Sequence, residues 1–417
     1  MRLLFLTLYY PPLNTIAGLR ISAFERYLKT HGHSVDVITR YYDEEQQQGK
    51  SMFLGSEAPE NFNQSYIKKE NVIYTNFDAR SKRLLFSEKL PPVVRGLYNY
   101  SAVDVFHYGW VNYVFDAFER ELKQNTYDFI VSSYGPPIAM LIGRKLSEKY
   151  NIPYIIDFRD SFIDERDTFF QLYMKKQVQE YNLKNAAGLI FATEGMRQFF
   201  VKYASDQLKK IPSVVVYNGV DEKDLSGSFS LADEPVVTLF HELKEKHSFV
   251  LLHTGTLYAG QNIAFFFNAL DQYNSKHQTN GIIVFLGLAQ SDASNQFNLP
   301  FVHVLPKVKH ATAMYLQKEA SALLLPIWDG RYTGFSGKTL EYLYSENFII
   351  TSPNPQADLK EFLALSPNVH IPIDKSGFEV ELTSILKGQK KQALKEREKL
   401  YRSYWIKRMM QFLSDLK

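Results

Sequence analysis

The sequence predicts an α/β protein of two doubly wound, parallel-sheet domains facing one another across a cleft, with a C-terminal helix returning to the first. Three observations predict it. Short apolar runs alternate with helical patterns along almost the whole chain, as parallel sheets with crossover helices require. The alternation lapses over a polar stretch at 222–245 and restarts at Phe249. At 417 residues the chain is also too long for one compact core, which suggests two domains of about 200 residues each.

Composition narrows the function. Hydrophobic residues make up 45% and charged residues 22%, an ordinary globular balance. A formal net charge of +3 argues against a nucleic-acid binder working through a general electrostatic footprint. With no cysteine, disulfides, thiolate metal sites and cysteine nucleophiles are excluded. The opening residues through Pro12 read as a buried strand rather than a cleaved leader, because aromatics and prolines stand where small residues would be needed. No apolar run reaches bilayer-spanning length, so membrane contact is expected to be peripheral.

In chain order, the strand Leu3–Tyr10, a helical pattern over Gly18–Thr30 and the strand Val35–Thr39 form a βαβ unit. Gly18 stands at the helix start, where an anionic group can sit, with Arg20 beside it. Residues 41–75 read as a polar surface excursion. Arg80–Phe86 and Lys89–Arg95 then interleave basic and large apolar residues, which suits anionic lipid head groups or a solvated segment packing its apolar side inward. A helix through Phe106–Trp110 and Val111–Gln124 leads to the strand ending in Ser133-Tyr-Gly-Pro-Pro137, and another helix over Ile138–Tyr150 follows.

The strand Ile152–Asp160 carries charges only at its end. Charges placed where a parallel strand meets its loop face the crevice at the carboxyl edge of the sheet, which makes Asp157, Arg159 and Asp160 site candidates. The alternative is a buried structural Asp–Arg pair. A helix over Phe170–Asn182, the strand Gly188–Ala192, a helix to about Leu208 and the strand Val214–Tyr217 complete a first domain over 1–221. A linker is expected over 222–245, a second domain over 246–393, and a helical tail over 394–417. The tail's Tyr401, Tyr404, Trp405, Met409 and Phe412 recur at helical spacing.

The second half repeats the pattern with strands at Phe249–Tyr258, Gly281–Gly287, Val302–Leu305, Ala322–Pro326 and Phe348–Thr351, and helices near Asn262–Tyr273 and Ala311–Lys318. Its most informative stretch is Trp328–Glu341. There Gly330, Gly334 and Gly337 lie between a strand and a helix that begins near Ser336. A helix start offers unpaired N–H groups and the positive end of the dipole, and glycines let phosphates approach the backbone. Lys338 and Glu341, three apart, are neighbours on the helix surface; one can hold a phosphate and the other a sugar hydroxyl. Among the histidines, His107 lies in an aromatic loop and can titrate near neutral pH, which makes it the best candidate for acceptor activation, with simple packing as the alternative. His253 lies inside a strand, where packing is the default.

Tyr10-Pro-Pro with Gly18 and Arg20, Leu28–Thr39, Ser133–Pro137, Asp157-Phe-Arg-Asp160, Tyr217–Asp221, Gly255-Thr-Leu-Tyr258, Phe285-Leu-Gly287 and Ser336–Tyr342 occur in this order along nearly the whole chain. Together they resemble the retaining glycosyltransferases of family 4, with two facing Rossmann-like domains (the GT-B fold). The branch most similar builds bacterial surface polysaccharides and O-antigens and includes N-acetylfucosamine transferases.

The resemblance implies transfer of a sugar, with retention, from a nucleoside diphosphate sugar to a hydroxyl of a glycan, commonly a lipid-linked one, at the inner face of the cytoplasmic membrane. It implies no resident cofactor. No Asp-x-Asp motif occurs, so no metal is expected to hold the donor. The donor-binding residues it implies are Gly18, Gly255, Thr256, Gly287, Val308, Gly334, Phe335, Ser336, Gly337 and Glu341, with Glu341 on the ribose and the main chain of Val308 at the base. Lys338, Arg331, His107 and Asp157 are the catalytic candidates, and Arg20, Trp110, Arg159 and Asp160 the acceptor-binding ones. The expected partners are the nucleotide sugar, the acceptor glycan and an anionic membrane surface, with no nucleic acid.

Two departures stand out. The family's first signature glutamate falls on Thr333. The basic pair near the second domain's glycine turn is replaced, with Thr256 for the arginine and no lysine at Gly260 or Gln261. Arg331 and Lys338 are placed to restore that charge. The departures also motivate a second reading, a non-catalytic scaffold of the same fold. A third, a nucleotide-sugar epimerase, would use Asp157, Asp160 and His107.

Overall fold

The computed structural model describes residues 1–13, 15–42, 65–77, 109–222, 229–288 and 297–417. The chain divides into two compact units, Met1–Tyr217 with Trp405–Lys417, and Asn218–Tyr404. Each is built on its own parallel sheet flanked by helices.

The first unit holds strands β1 (Arg2–Leu6), β2 (Ser34–Arg40), β3 (Tyr66–Lys69), β4 (Val72–Thr75), β5 (Phe129–Tyr134), β6 (Tyr154–Phe158), β7 (Gly188–Phe191) and β8 (Ser213–Val215). Their spatial order is β3-β4-β2-β1-β5-β6-β7-β8. All neighbours are parallel except the edge pair β3–β4. That antiparallel hairpin lies in the stretch expected to be a polar surface excursion. Its Val72, Ile73 and Thr75 are buried while Lys68 and Lys69 face outward, so a short buried strand beside an exposed edge strand was hidden in a polar segment.

The second unit holds β9 (Val250–Thr254), β10 (Ile282–Leu286), β11 (Val302–Leu305), β12 (Ala322–Leu325), β13 (Ile349–Thr351) and β14 (Val369–His370), ordered β11-β10-β9-β12-β13-β14 and parallel throughout. β9, β10 and β12 are buried along their whole length, which explains their unbroken apolar sequences: helices cover both faces of such a sheet. Residues 222–245, expected as linker, instead contribute the helix Glu234–Lys246, which buries Val237, Phe240 and Leu243. Three apolar residues at helical spacing suffice to seat it despite the charges between them.

Both sheets reverse direction of growth at a central strand, β1 in the first and β9 in the second. The carboxyl ends of the two strands flanking such a reversal splay apart and leave a crevice. In the second unit this brings the turn after β9 beside the turn after β12.

The helix Arg402–Asp415 buries Trp405, Ile406, Met409 and Leu413. Its last turns rest on Gly188, where a Cβ would lie 2.8 Å from both Leu416 and Phe412. Trp405 meets Tyr217 edge-on with centroids 4.7 Å apart, and Lys417 pairs with Asp128 at 2.7 Å.

Candidate functional site

The glycine turn that follows β12 is tied to the turn that follows β9. Gln261 donates to the carbonyl of Pro326 at 2.9 Å and Asn262 N–H to that of Ile327 at 3.0 Å; the Trp328 indole donates to the carbonyl of Ala259 at 3.0 Å. Gln261 and Trp328 also form an isolated bridge. Residues some seventy positions apart in sequence thus build one loop pair at the switch point of the second sheet. Gly255 has φ +76° and its N–H donates to the carbonyl of Leu286 at 2.7 Å. A Cβ there would stand 3.1 Å from Lys338 Cε, so both backbone angle and space call for glycine.

The helix Lys338–Ser345 starts two residues after the expected Ser336, with Gly337 as the preceding residue. Lys338 Nζ donates to the carbonyl of Thr256 at 2.5 Å and lies 5.2 Å from the centre of the Tyr258 ring. Tyr258 in turn packs on Trp328, and Arg331 covers the Trp328 ring at 4.4 Å. Two cations and two aromatic rings therefore form one cluster on the loop pair, and each cation is held over a π face. Burial pushes the Lys338 ammonium down to about 8, with the charge of Glu341 opposing the shift.

Glu341, one turn further along, lies with Oε1 3.1 Å from His310 Nε2. His310 opens the helix His310–Glu319, just after the half-buried Val308. Sequence reasoning missed His310, since nothing links it to a residue 31 positions away until β11 and β12 stand in one sheet. Beneath the loops, Tyr342 is fully buried and its hydroxyl accepts from Thr254 N–H at 2.8 Å, locking the helix to the end of β9. His253 is also fully buried; its Nδ1 donates to the carbonyl of Leu324 at 3.1 Å, which ties β9 to β12. Burial, with the Lys338 charge adding to it, holds its pKa down at about 3, so the ring is neutral.

The other expected donor residues follow the same elements. Gly334, Phe335 and Ser336 are half-buried and Gly337 is exposed. Phe335 packs on Phe362 with centroids 5.4 Å apart, and Ser336 O accepts from Thr339 N–H at 3.0 Å. Gly287 has φ +78° at the end of β10, its N–H donating to the carbonyl of Leu305. Thr333, at the position of the expected glutamate, is fully buried.

In the first unit the structure revises several expectations. Asp157 is 0% and Arg20 2% exposed. Arg20 donates to both oxygens of Asp157, at 2.8 to 3.3 Å, and to the carbonyl of Val216 at 2.9 Å; Ser133 donates to Asp157 at 3.2 Å. Arg20 as an acceptor contact and Asp157 as a catalytic group therefore give way to a sealed pair, because two charges this deep need one another. Trp110, also expected at the acceptor, is fully buried and donates its indole N–H to Thr75 at 2.7 Å, a packing position on the edge of the sheet. Gly18 is shaped by packing too: a Cβ would come within 3.2 Å of Leu13 O and Tyr10 Cα, and its N–H donates to the cap residue Thr15 at 3.1 Å.

Arg159 donates to the carbonyls of Tyr134 and Gly135, each at 2.8 Å, and lies over the Tyr9 ring at 4.8 Å. It organises the turn after β5, where Gly135 has φ +122° and a Cβ would strike its guanidinium. Asp160, 3.8 Å from Arg159, keeps its side chain 70% exposed. His107 and the basic edge at 80–95 lie outside the described residues.

Among the described residues no cluster of three or more His, Asp or Glu side chains could hold a metal ion, and no helix is long and apolar enough to cross a membrane.

No curated protein sequence matches the chain. Residues 18–224 match the profile described as Glycosyltransferase Family 4. Among solved structures, HepE of Anabaena in complex with UDP is similar at 13% identity, over 100% of both chains and with a TM-score of 0.62. The α,α-trehalose 6-phosphate synthase of Burkholderia multivorans is similar at 14% identity, over 100% of this chain and 98% of its own, with a TM-score of 0.65. The trehalose-6-phosphate synthase OtsA is similar at 13% identity, over 99% of both chains, with a TM-score of 0.66. At such identities the likeness establishes the shared fold, and together with the profile match on residues 18–224 it supports a glycosyltransferase of the GT-B fold.

Proposed function

We propose that this protein is a retaining, metal-independent glycosyltransferase of hexosyl or N-acetylhexosaminyl type. It moves a sugar from a nucleoside diphosphate sugar to a hydroxyl of a lipid-linked glycan in surface polysaccharide biosynthesis of the O-antigen kind, at the inner face of the cytoplasmic membrane. The observation that carries this reading is the loop pair at the second sheet's switch point, where Lys338 is held on the carbonyl of Thr256 at the start of a helix. A diphosphate placed there meets the N–H groups around Gly337, the Lys338 ammonium and the Arg331 guanidinium. Glu341, oriented by His310, accepts from ribose hydroxyls, and the main chain at Val308 meets the base.

In the transfer, the bond from the anomeric carbon to the diphosphate oxygen breaks and a bond to the acceptor oxygen forms, with the acceptor's proton passing to the departing diphosphate oxygen. The departing diphosphate gains negative charge, and stabilising such charge is commonly the largest catalytic contribution. Lys338 and Arg331 supply it here. On the acceptor side, the exposed carboxylate of Asp160 accepts from sugar hydroxyls and Arg159 fixes the loop it stands on.

Thr333 favours a second reading, a scaffold that binds nucleotide without turnover, since a buried threonine stands where the family's first signature glutamate is expected. Calorimetric titration with UDP and other nucleoside diphosphates, followed by a panel of nucleotide sugars with lipid-linked acceptors, separates the two. Slow release of nucleoside diphosphate with and without chelator is the expected result. Binding without turnover on every acceptor favours the scaffold, and activity abolished by chelator contradicts the metal-free mechanism.

A further inference from the structure

The helix Phe169–Leu183 presents an outward face of unusual character. Phe169 is 88% exposed, Tyr181 56%, Tyr173 55% and Phe170 45%. At about 100° per residue these four rings fall with Lys176, Gln177 and Glu180 on one face roughly 140° wide, while Gln179, Asn182 and Leu183 are buried. An ordinary surface helix turns its polar residues outward. This one is firmly built, with a capping box between Thr168 and Gln171, so the rings are displayed on an ordered element.

The adjacent helix Glu194–Tyr203 extends the surface. Its Val201 is 44% exposed, and the Tyr203 ring lies 5.1 Å from Lys176 Nζ and 5.2 Å from Lys202 Nζ. Three neighbouring acids pair with other cations, Asp167 with Lys175, Glu194 with Arg197 and Asp206 with Lys209, while Glu180 accepts from the Ser205 hydroxyl. The two lysines beside the rings have no such carboxylate partner among the described residues. The surface thus combines exposed aromatic rings with two lysines that lie over a ring, with one carboxylate, Glu180, on the same face.

We propose that the outward faces of Phe169–Leu183 and Glu194–Tyr203 dock the first unit onto an anionic lipid bilayer, with the rings entering the head-group region and Lys176 and Lys202 meeting lipid phosphates. Phenylalanine and tyrosine side chains favour that boundary. Lysine reaches phosphate while its stem stays beside apolar groups. Charge complementarity selects this occupant, because a plane of anionic head groups satisfies both lysines at once. The inference rests on the proposed function only for its reason to be at a membrane, and it assigns the contact to residues other than those of the basic segment at 80–95.

Co-sedimentation of the full chain with vesicles of phosphatidylethanolamine and phosphatidylglycerol, against vesicles of phosphatidylcholine, tests it. The wild type should bind the anionic vesicles selectively. Phe169→Ser combined with Tyr173→Ser, and separately Lys176→Glu with Lys202→Glu, should each reduce partitioning by roughly tenfold or more, with UDP affinity measured by calorimetry unchanged. Absence of wild-type binding overturns the proposal, as does binding that neither variant weakens. A wild-type dimer that the aromatic variant converts to monomer would assign the surface to a second copy of the chain instead. Vesicle binding by a protein that fails to bind any nucleoside diphosphate would sink the donor-site reading and leave this surface standing.

Discussion

Lys338 joins the helix start to the turn after β9 in the second unit's candidate anion site. Its ammonium is bonded to the Thr256 carbonyl and lies over Tyr258, and the absence of a side chain at Gly255 leaves room for its stem. Replacing it with methionine should weaken UDP binding by about 1.5–3 kcal/mol, the range for a hydrogen bond to a charged group; an unchanged Kd would remove Lys338 from the site. The depressed pKa adds a signature. Below about 8 the group is charged and attracts diphosphate; above it the free protein loses that charge. UDP affinity should therefore fall as pH rises from about 7 to about 9.5, and the profile should flatten in Lys338→Met. The sign for stability is the reverse: the unfolded chain keeps the proton up to the ordinary lysine value, so the cost of burying the ammonium is relieved as pH rises through the folded pKa. Glu341→Ala should cost about 1–3 kcal/mol of nucleotide affinity, and His310→Ala a smaller part of it, since His310 acts by orienting the carboxylate. Titration of the two variants would show whether the effects rank in that order.

At the level of elements, turns and strand ends matter more than the strands themselves. The Arg20–Asp157 pair joins the first long helix to the end of β6 and to the chain leaving β8 at Val216. Removing one partner strands a buried charge, so Asp157→Ala should destabilise the first unit by about 3–5 kcal/mol. Denaturant unfolding measures this; a loss below about 1 kcal/mol would mean that the pair is solvated. The sequence placed charges at the end of this strand correctly but left open whether they face a ligand or one another, because that depends on a helix 137 positions earlier. The helix Glu234–Lys246 was obscured for a different reason: its buried Val237, Phe240 and Leu243 are separated by polar residues that suggest a linker. The β3–β4 hairpin was similarly concealed by its lysines.

For the whole molecule, the two units predict two linked unfolding events rather than one. A nucleoside diphosphate bound to Asn218–Tyr404 should raise the transition of that unit, by about 2.7 kcal/mol at a hundredfold excess over Kd, with a smaller effect on the other. Deleting 405–417 should do the opposite. It uncovers Gly188 and Tyr217, which the last helix covers, and should lower the first unit's transition while leaving UDP binding in the second intact. Differential scanning calorimetry of the truncated and full chains, with and without UDP, reads both; a truncation that moved only the second unit's transition would contradict the assignment. The fold class was legible because period and length are local properties: fully buried strands are continuous apolar runs, helices between them carry their own stripe, and glycines mark the turns that need a positive φ. The sequence by itself determined the two parallel sheets, a helix start near Ser336 and the glycine turns that flank it. Only the tertiary structure decided that Lys338 grips Thr256, that His310 orients Glu341, and that Arg20, Asp157 and Trp110 are sealed in the interior. Each of those outcomes depends on which strands become neighbours, and that ordering gives residues far apart in sequence their partners.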